Sequence, residues 1–370
     1  MGAPESLSEL RDAIADVDRA LLELLRRRME LADEIGRRKA ASGAPIVVRD
    51  VEDQVLTRAR RHAEVCGISE EILAEVFQAI IRGAVERQHR VGVALRHQRA
   101  GRALVVGGAG GIGSWFGRFL SLAGTLADVA DPALAGLPPE AGRFAALAEV
   151  PDLDAYGAVF VAVPLASTPE VVAQLVARRP RNLIVELSSI KEPLVPTLAA
   201  AREAGVRVLA LHPMFGPGKS PYEPLTFVLA TQREPEIERR EIEPILSHPY
   251  TRLVMVPFAR HDRLMGWLLG LSHLVSMIFG AALTRGGIES AELHACASTT
   301  FVRQAATARS VLGNDSDLYL DIQRLNPYRS EVYRATREAL ADLERLVETQ
   351  DRQGFHDLLA GARQMLEGER

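Results

Sequence analysis

Apolar residues recur at intervals of three and four from Leu7 to about Ala41: Leu10, Ile14, Val17, Leu21, Leu24, Leu25, Met29, Leu31, Ala32 and Ile35 share one side of a helix. That period predicts one long helix, with Ser6 as its cap and "SGAP" at residues 42–45 as its stop. A second helix is expected from about Asp50 to Cys66. A third follows Gly67, opened by a capping box in "SEEIL" and continuing through "AEVFQAIIRGAVERQ". The polar stretch "RHQRAGR" then breaks the pattern. Past it, "RALVVGG", "GAVFVAVP", "RNLIVELSS", "VRVLALHP", "LTFVLA" and "TRLVMVP" read as strands alternating with helices, the signature of a doubly wound parallel sheet. From about Ala259 the chain is helical again, in runs such as "LMGWLLGLSHLVSMIFGAAL" that have no polar face. A helix apolar all round is a buried one, which here suggests a dimer core. The expected organisation is multi-domain: an all-α domain over residues 1–92, a linker over 93–101, an α/β domain over 102–257, and an all-α dimerisation domain over 258–370.

Composition narrows the partners. A chain of 370 residues with 47% hydrophobic content can bury two or three cores. Its formal net charge of -4 offers no general basic surface for nucleic acid, so small molecules and further copies of the chain are the expected partners. Cys66 and Cys296 lie far apart without CxxC spacing, which argues against disulfides and against a metal site and suits a reduced cytoplasm. The first residues lack a signal-type apolar core, and no later run is expected to reach the ~20 apolar residues of a membrane span.

The loop "GGAGGIG" supplies GxGxxG as Gly108, Gly110 and Gly113, directly between a strand and a helix. In that setting the first glycine makes the tight turn, the second lets backbone approach a pyrophosphate, and the third lets helix pack on strand. Asp131 follows at the end of "TLADVAD", where an acid binds a ribose 2′-hydroxyl and repels a 2′-phosphate. The α/β domain is therefore expected to be Rossmann-type and to prefer NAD over NADP. Gly111, Ile112, Val163 and Pro164 complete the expected cofactor-binding set.

"VELSSIKEP" and "VLALHPMFGPG" begin as apolar strands and end in polar residues, which places Ser189, Lys191 and His212 at the carboxyl ends of strands. Open α/β sheets bind ligands there. With "HDRLMGWLLGLSHL" downstream, these motifs resemble the prephenate dehydrogenase family over nearly all of residues 102–340, and "LHPMFGP" is specific to it. The resemblance implies that His212 takes the proton of a ring 4-hydroxyl while hydride leaves the same carbon for the nicotinamide, and that loss of carbon dioxide then makes the ring aromatic. A neutral imidazole suits that base role, with Ser189 orienting it or the hydroxyl. The dianionic substrate requires cations: Lys191, Arg303 and Arg309 are the candidates, Arg309 ahead of Arg303. His261 and His273 match family positions and are alternatively core histidines.

Arg28 and Lys39 lie on one face of the first helix, eleven residues and about 16 Å apart, so their side chains can converge on one ligand. Arg11, another ~25 Å back, cannot reach that ligand along a straight helix and must come from a second subunit if it is used. "LRDAIADVDRALLELLRRRMELADEIGRRK" resembles the first helix of the all-helical chorismate mutases, over about residues 7–90. That resemblance implies that Arg11 of a partner and Arg28 hold two carboxylates, that Lys39 and Gln88 donate to the breaking ether oxygen, and that Glu52 meets the ring hydroxyl. The product of one half would be the substrate of the other, and the whole chain resembles the bifunctional enzymes that pair the two activities in tyrosine biosynthesis. It departs from the mutase pattern at Val51, where an arginine is usual, and at Ala84, where a serine is. Two alternatives stay open: a 4-amino analogue as substrate in specialised metabolism, and a mutase-like domain that serves only dimerisation or regulation.

Overall fold

A computed structural model describes residues 6–42, 49–96, 101–122, 124–134, 142–246, 248, 250–313 and 315–368. Two compact units make up the chain. The first comprises Met1–Val163, Gln174–Leu187 and Ala201–Met255; the second comprises Pro164–Ala173, Ser188–Ala200 and Val256–Arg370.

The first unit opens with α1 (Leu7–Ser42), α2 (Arg49–Cys66) and α3 (Glu70–Arg96); α1 and α2 keep close to the expected bounds, whereas α3 runs past Gln88 into the expected linker. Ser6 caps α1 reciprocally: its backbone N–H donates to Glu9 Oε2 at 3.0 Å and its Oγ accepts from the Glu9 N–H at 3.2 Å. The capping box expected in "SEEIL" cannot form, because the position three residues after Ser69 is Ile72, which has no carboxylate to return. Gly67 closes α2 at φ +65, a conformation that a Cβ disfavours. α1 and α3 run side by side in the same direction. Arg28 lies beside Ile80, Asp33 beside Arg87 (2.6 and 2.9 Å), and Gly36 beside Gln88, where a Cβ would come within 2.8 Å of the Gln88 Cα. Only the second half of α1 is covered. Every residue from Leu7 to Leu24 is exposed, including the apolar stripe Leu10, Ile14, Val17 and Leu21. Ile81 and Val85 of α3 pack against Tyr222, tying the helices to the loop of residues 214–224.

The strands are β1 (Arg102–Val106), β2 (Leu126–Ala130), β3 (Arg143–Phe144), β4 (Ala158–Val161), β5 (Leu183–Glu186), β6 (Val208–Pro213), β7 (Leu225–Thr231) and β8 (Thr251–Pro257). They form one sheet ordered β3-β2-β1-β4-β5-β6-β7-β8, and its first six strands follow the dinucleotide-binding order. β1 to β6 are parallel, with α4 (Gly111–Leu122), α5 (Thr168–Ala177) and α6 (Val195–Glu203) between strands; α7 (Pro235–Ile242) follows β7. β7 departs from the all-parallel expectation and runs antiparallel to β6. Residues 214–224 hold no helix, and a parallel return needs a crossover of about a dozen residues or more. On one face Trp115, Phe116, Phe119, Phe160 and Phe227 form an aromatic core with Leu209 and Leu229. Asp128 is buried beneath Arg102 (2.7 Å), the Tyr156 hydroxyl (2.9 Å) and the Gly142 N–H (2.8 Å). Burial alone would raise its pKa; these three donors hold the carboxyl below its ordinary value.

In the second unit α8 (Phe258–Met265) passes through a π-helical turn, Gly266–Leu271, into α9 (Ser272–Gly286). α10 (Ser290–Ala295), α11 (Thr299–Leu312), α12 (Ser316–Leu325), α13 (Arg329–Glu348) and α14 (Arg352–Glu367) follow. One expectation changes here. Phe258–Gly286 is long and apolar enough, by length and composition, to cross a membrane, contrary to the sequence reading. The π turn joins α8 and α9 into one continuous helix. Within one subunit Trp267, Leu268, Val275 and Ile278 remain exposed, which agrees with a helix expected to be covered in a dimer core.

Asp128→Asn is expected to lower stability by ~2 kcal/mol, since it removes a charge-assisted acceptor of three donors. Its folded pKa is depressed, so the Asp128 contribution is full above the unfolded carboxyl range near ~4 and fades as pH falls through the folded value. Thermal melts at pH 7 and pH 3 check this: the gap between variant and wild type should narrow at the lower pH.

Candidate active sites

The chain leaves β1 through Gly107, at φ +80, where a Cβ would lie 2.6 Å from the Ala162 oxygen and 2.9 Å from the Val163 nitrogen. The tight turn thus rests on Gly107, one residue before the Gly108 expected from the sequence; the doubled glycine was the available signal. Gly108 has its own constraint, a Cβ there meeting Val129 Cγ1 at 2.6 Å, and one at Gly113 would run into the Gly107 carbonyl. Gly110 is different. Its Cβ would meet only the Gly107 oxygen, at 3.3 Å, which leaves its backbone open to an approaching group. α4 begins at Gly111 with Ile112 packed on the core, so the unpartnered first N–H groups and positive pole of a helix sit at this mouth.

Asp131 follows β2 and is buried; its Oδ2 accepts from the Ala109 N–H at 3.0 Å and its Oδ1 from the Ala133 N–H at 2.8 Å. The acid braces the glycine loop, and each oxygen keeps a second lone pair for a ribose hydroxyl. A cradle closed to side chains, a helix N-terminus and an acid after the second strand fit a dinucleotide. Val163 is half-buried in the first unit, while Pro164 is exposed in the second and its oxygen accepts from Ser167 and Thr168.

His212 is the penultimate residue of β6, only 3% exposed and paired in register with Val228. It shares a sheet face with Ala210, whose neighbour on β5 is the fully buried Glu186. In the second unit Ser189 is half-buried and Lys191 fully buried, the Lys191 ammonium donating to the Ser188 oxygen at 2.8 Å. His261 is fully buried with Nδ1 2.7 Å from Asp262, an acid that sequence reasoning passed over. His273 packs edge-on against Tyr319, ring centroids 4.6 Å apart, and burial lowers its pKa, so it is neutral near pH 7. Arg303 and Arg309 are exposed on α11, about 120° apart around the axis, so one helix does not bring both to a single ligand.

The helical groove gathers three of its five expected residues. Arg28 is half-buried, with burial lowering its pKa, and donates to the Ile80 oxygen at 3.3 Å. Gln88 is buried at the Gly36 crossing with Oε1 lacking a hydrogen-bond partner among the described residues, and Lys39 lies one turn beyond Gly36. Arg11 stands apart on the uncovered half of α1. Glu52 belongs to α2, but its side chain lies outside the described residues.

Residues 10–89 match the family model of chorismate mutase type II, and residues 257–361 match that of the prephenate dehydrogenase dimerization domain. Over 353 residues the chain is 28% identical to the T-protein of Enterobacter agglomerans, covering 94% of this chain and 90% of that one. The chain thus carries a chorismate mutase part and a prephenate dehydrogenase part, each matched by its own family model, and is similar over nearly its whole length to a T-protein. Its dehydrogenase part is also 28% identical over 274 residues to a 4-amino-4-deoxyprephenate dehydrogenase of Streptomyces pristinaespiralis, covering 72% of this chain and 91% of that one. A structure of prephenate dehydrogenase from A. aeolicus, in complex with hydroxyphenyl propionate and NAD+, shares the dehydrogenase fold. It has a TM-score of 0.56 at 18% identity and covers 73% of this chain and 98% of that chain.

Asp131→Ala is expected to weaken NAD at least tenfold while changing NADP binding less, because the hydroxyl contact and the repulsion of a 2′-phosphate disappear together. Titration of both cofactors by intrinsic fluorescence decides. Equal losses would mean that Asp131 only braces the loop.

Proposed function

We propose that this chain converts chorismate to prephenate in the groove of α1 and α3, and oxidises prephenate with NAD to 4-hydroxyphenylpyruvate and carbon dioxide in the α/β part. The observation that carries the reading is the pairing, in one chain, of a cationic helical groove with a glycine cradle and a buried strand-end histidine.

In the groove, Arg28 and an Arg11 supplied by a second copy hold the two carboxylates, and Lys39 and Gln88 stabilise charge developing on the ether oxygen. Glu52 meets the ring hydroxyl. The rearrangement is unimolecular, so holding a compact conformer and meeting that charge is what the residues contribute. The exposed stripe on the first half of α1 and the exposed apolar length of Phe258–Gly286 both suit a homodimer.

In the dehydrogenase, Gly108, Gly110, Gly111, Ile112, Gly113, Asp131, Val163 and Pro164 hold NAD, which accepts a hydride from the ring carbon. His212 takes the 4-hydroxyl proton through its unprotonated ring nitrogen, with Ser189 orienting the pair. When carbon dioxide leaves, the electrons of that bond make the ring aromatic as a phenolate, and His212 returns the proton to its oxygen. Lys191, His273 and one of Arg303 and Arg309 hold the dianion. Exposed, unpaired thiols at Cys66 and Cys296 suit a reduced cytoplasm.

A second reading, a 4-amino in place of a 4-hydroxy ring substituent, is favoured by the two positions where the groove lacks a family polar group: Val51 on α2 and the buried Ala84 one turn before Gln88.

His212→Asn is expected to cut NAD reduction with prephenate by roughly 10²–10⁴-fold and to leave NAD affinity and chorismate consumption unchanged. A variant within threefold of wild type ends the assignment. In the groove, one missing charge-assisted contact is worth ~1.5–3 kcal/mol, so Val51→Arg with Ala84→Ser should raise the rate on chorismate by about one to two powers of ten. Chorismate disappearance without NAD is the measurement. If neither that pair nor Arg28→Ala changes it, the helices serve dimerisation only.

A further inference from the structure

Asp262 is 5% exposed and its carboxylate gathers donors from two directions. The Lys191 N–H lies 2.9 Å from Oδ1 and 3.1 Å from Oδ2, the Glu192 N–H 2.7 Å from Oδ2, and His261 Nδ1 2.7 Å from Oδ1. The two backbone donors open the helical turn Glu192–Leu194 that leads into α6. Asp262 therefore caps a helix start from seventy residues away, with its charge at the positive pole. The segment it grips is otherwise folded on itself: the Lys191 ammonium donates to the Ser188 oxygen at 2.8 Å, and Ser188 Oγ to the Ile190 oxygen at 3.0 Å. Asp262 is itself fixed, because its backbone oxygen accepts from Asn326 Nδ2 at 2.8 Å. Just beyond it lies the π-helical turn, whose Gly270 carbonyl accepts from Gln323 at 2.9 Å.

We propose that Asp262 is a positioning residue of the dehydrogenase, whose carboxylate sets the shape of the 188–192 segment and thereby the placement of Ser189 and Lys191 against the substrate. The proposal rests on the reading of those two residues as substrate-facing. A buried carboxylate is a costly way to hold a loop that only needs holding; apolar packing does that as well. A carboxylate accepting three bonds does something packing cannot, since it fixes the direction of two consecutive peptide N–H groups and so the dihedral angles between Ser189 and Glu192.

Asp262→Asn keeps the shape but turns an amide donor toward a backbone or imidazole donor. In the full-length enzyme, kcat/KM for prephenate should fall roughly 10- to 100-fold, the loss expected for one or two charge-assisted bonds. NAD affinity and the NAD-independent rate on chorismate should stay within twofold. Asp262→Glu, which retains the charge, should recover part of the loss, and it serves as the readable variant if Asp262→Asn fails to form the wild-type oligomer on size exclusion. Lys191→Met should raise KM for prephenate, and the Asp262→Asn, Lys191→Met double variant should be little worse than Lys191→Met alone, because groups acting through one another are not additive. A normal kcat/KM in Asp262→Asn, losses that add in full although Lys191→Met is itself impaired, or losses equal in Asp262→Asn and Asp262→Glu that follow melting temperature overturn the proposal. If Lys191→Met has a normal KM while Asp262→Asn is impaired, the positioning acts through Ser189 and the proposal stands. If the wild type turns over neither prephenate nor its 4-amino analogue, the proposed function has failed first.

Discussion

At the carboxyl end of β1 the backbone of Gly107 passes so close to Ala162 and Val163 that a Cβ would sit 2.6 Å from a carbonyl oxygen. The left-handed turn made there points the chain back over the sheet, and Gly113 then lets the first turn of α4 lie against the Gly107 carbonyl. With α4 seated that deeply, Trp115, Phe116 and Phe119 reach Phe160 and Phe227, and the aromatic core closes. The same contact brings the helix N-terminus to the strand ends, where a pyrophosphate would find unpartnered N–H groups. Core and cofactor mouth are thus two results of one steric condition.

Buried acids carry much of the remaining order, and they do so differently. Asp128 and Asp131 lie three residues apart at the end of β2. Asp128 faces Arg102, Tyr156 and Gly142 and is consumed by them; Asp131 takes only two backbone N–H groups and keeps capacity for a ligand. Asp262, in the other unit, also braces a loop through backbone N–H groups, but through two consecutive ones, Lys191 and Glu192, where the Asp131 donors Ala109 and Ala133 are far apart in the chain. A carboxylate suits this task because it accepts several bonds at once in directions that fix the loop.

The helical parts show where one subunit stops being sufficient. α1 is about 54 Å long, yet only its second half lies against α3. The first half displays leucine, isoleucine and valine at three-and-four spacing to solvent, as the helix from Phe258 to Gly286 displays Trp267, Leu268 and Ile278. Apolar stripes of this length are normally covered in a stable protein.

Periodicity alone determined the long helices and most strands here, because a pattern of three and four or a short branched-aliphatic run is a local property that survives any packing. Thus α1 was legible almost to the residue, and so were the glycine loop, Asp131 and the strand-end His212, whose setting between a strand and a turn is written in neighbouring residues. The two-residue β3 carries too little pattern to be read, and the reversal of β7 depends on a loop too short for a crossover. The doubled glycine left open that Gly107 rather than Gly108 makes the turn, and the Gly36–Gln88 crossing and the donors of Asp262 belong to tertiary structure alone. Each depends on a distance between residues far apart in the chain, and no periodicity records which backbone will pass within 3 Å of another or which buried carboxylate will meet its donors.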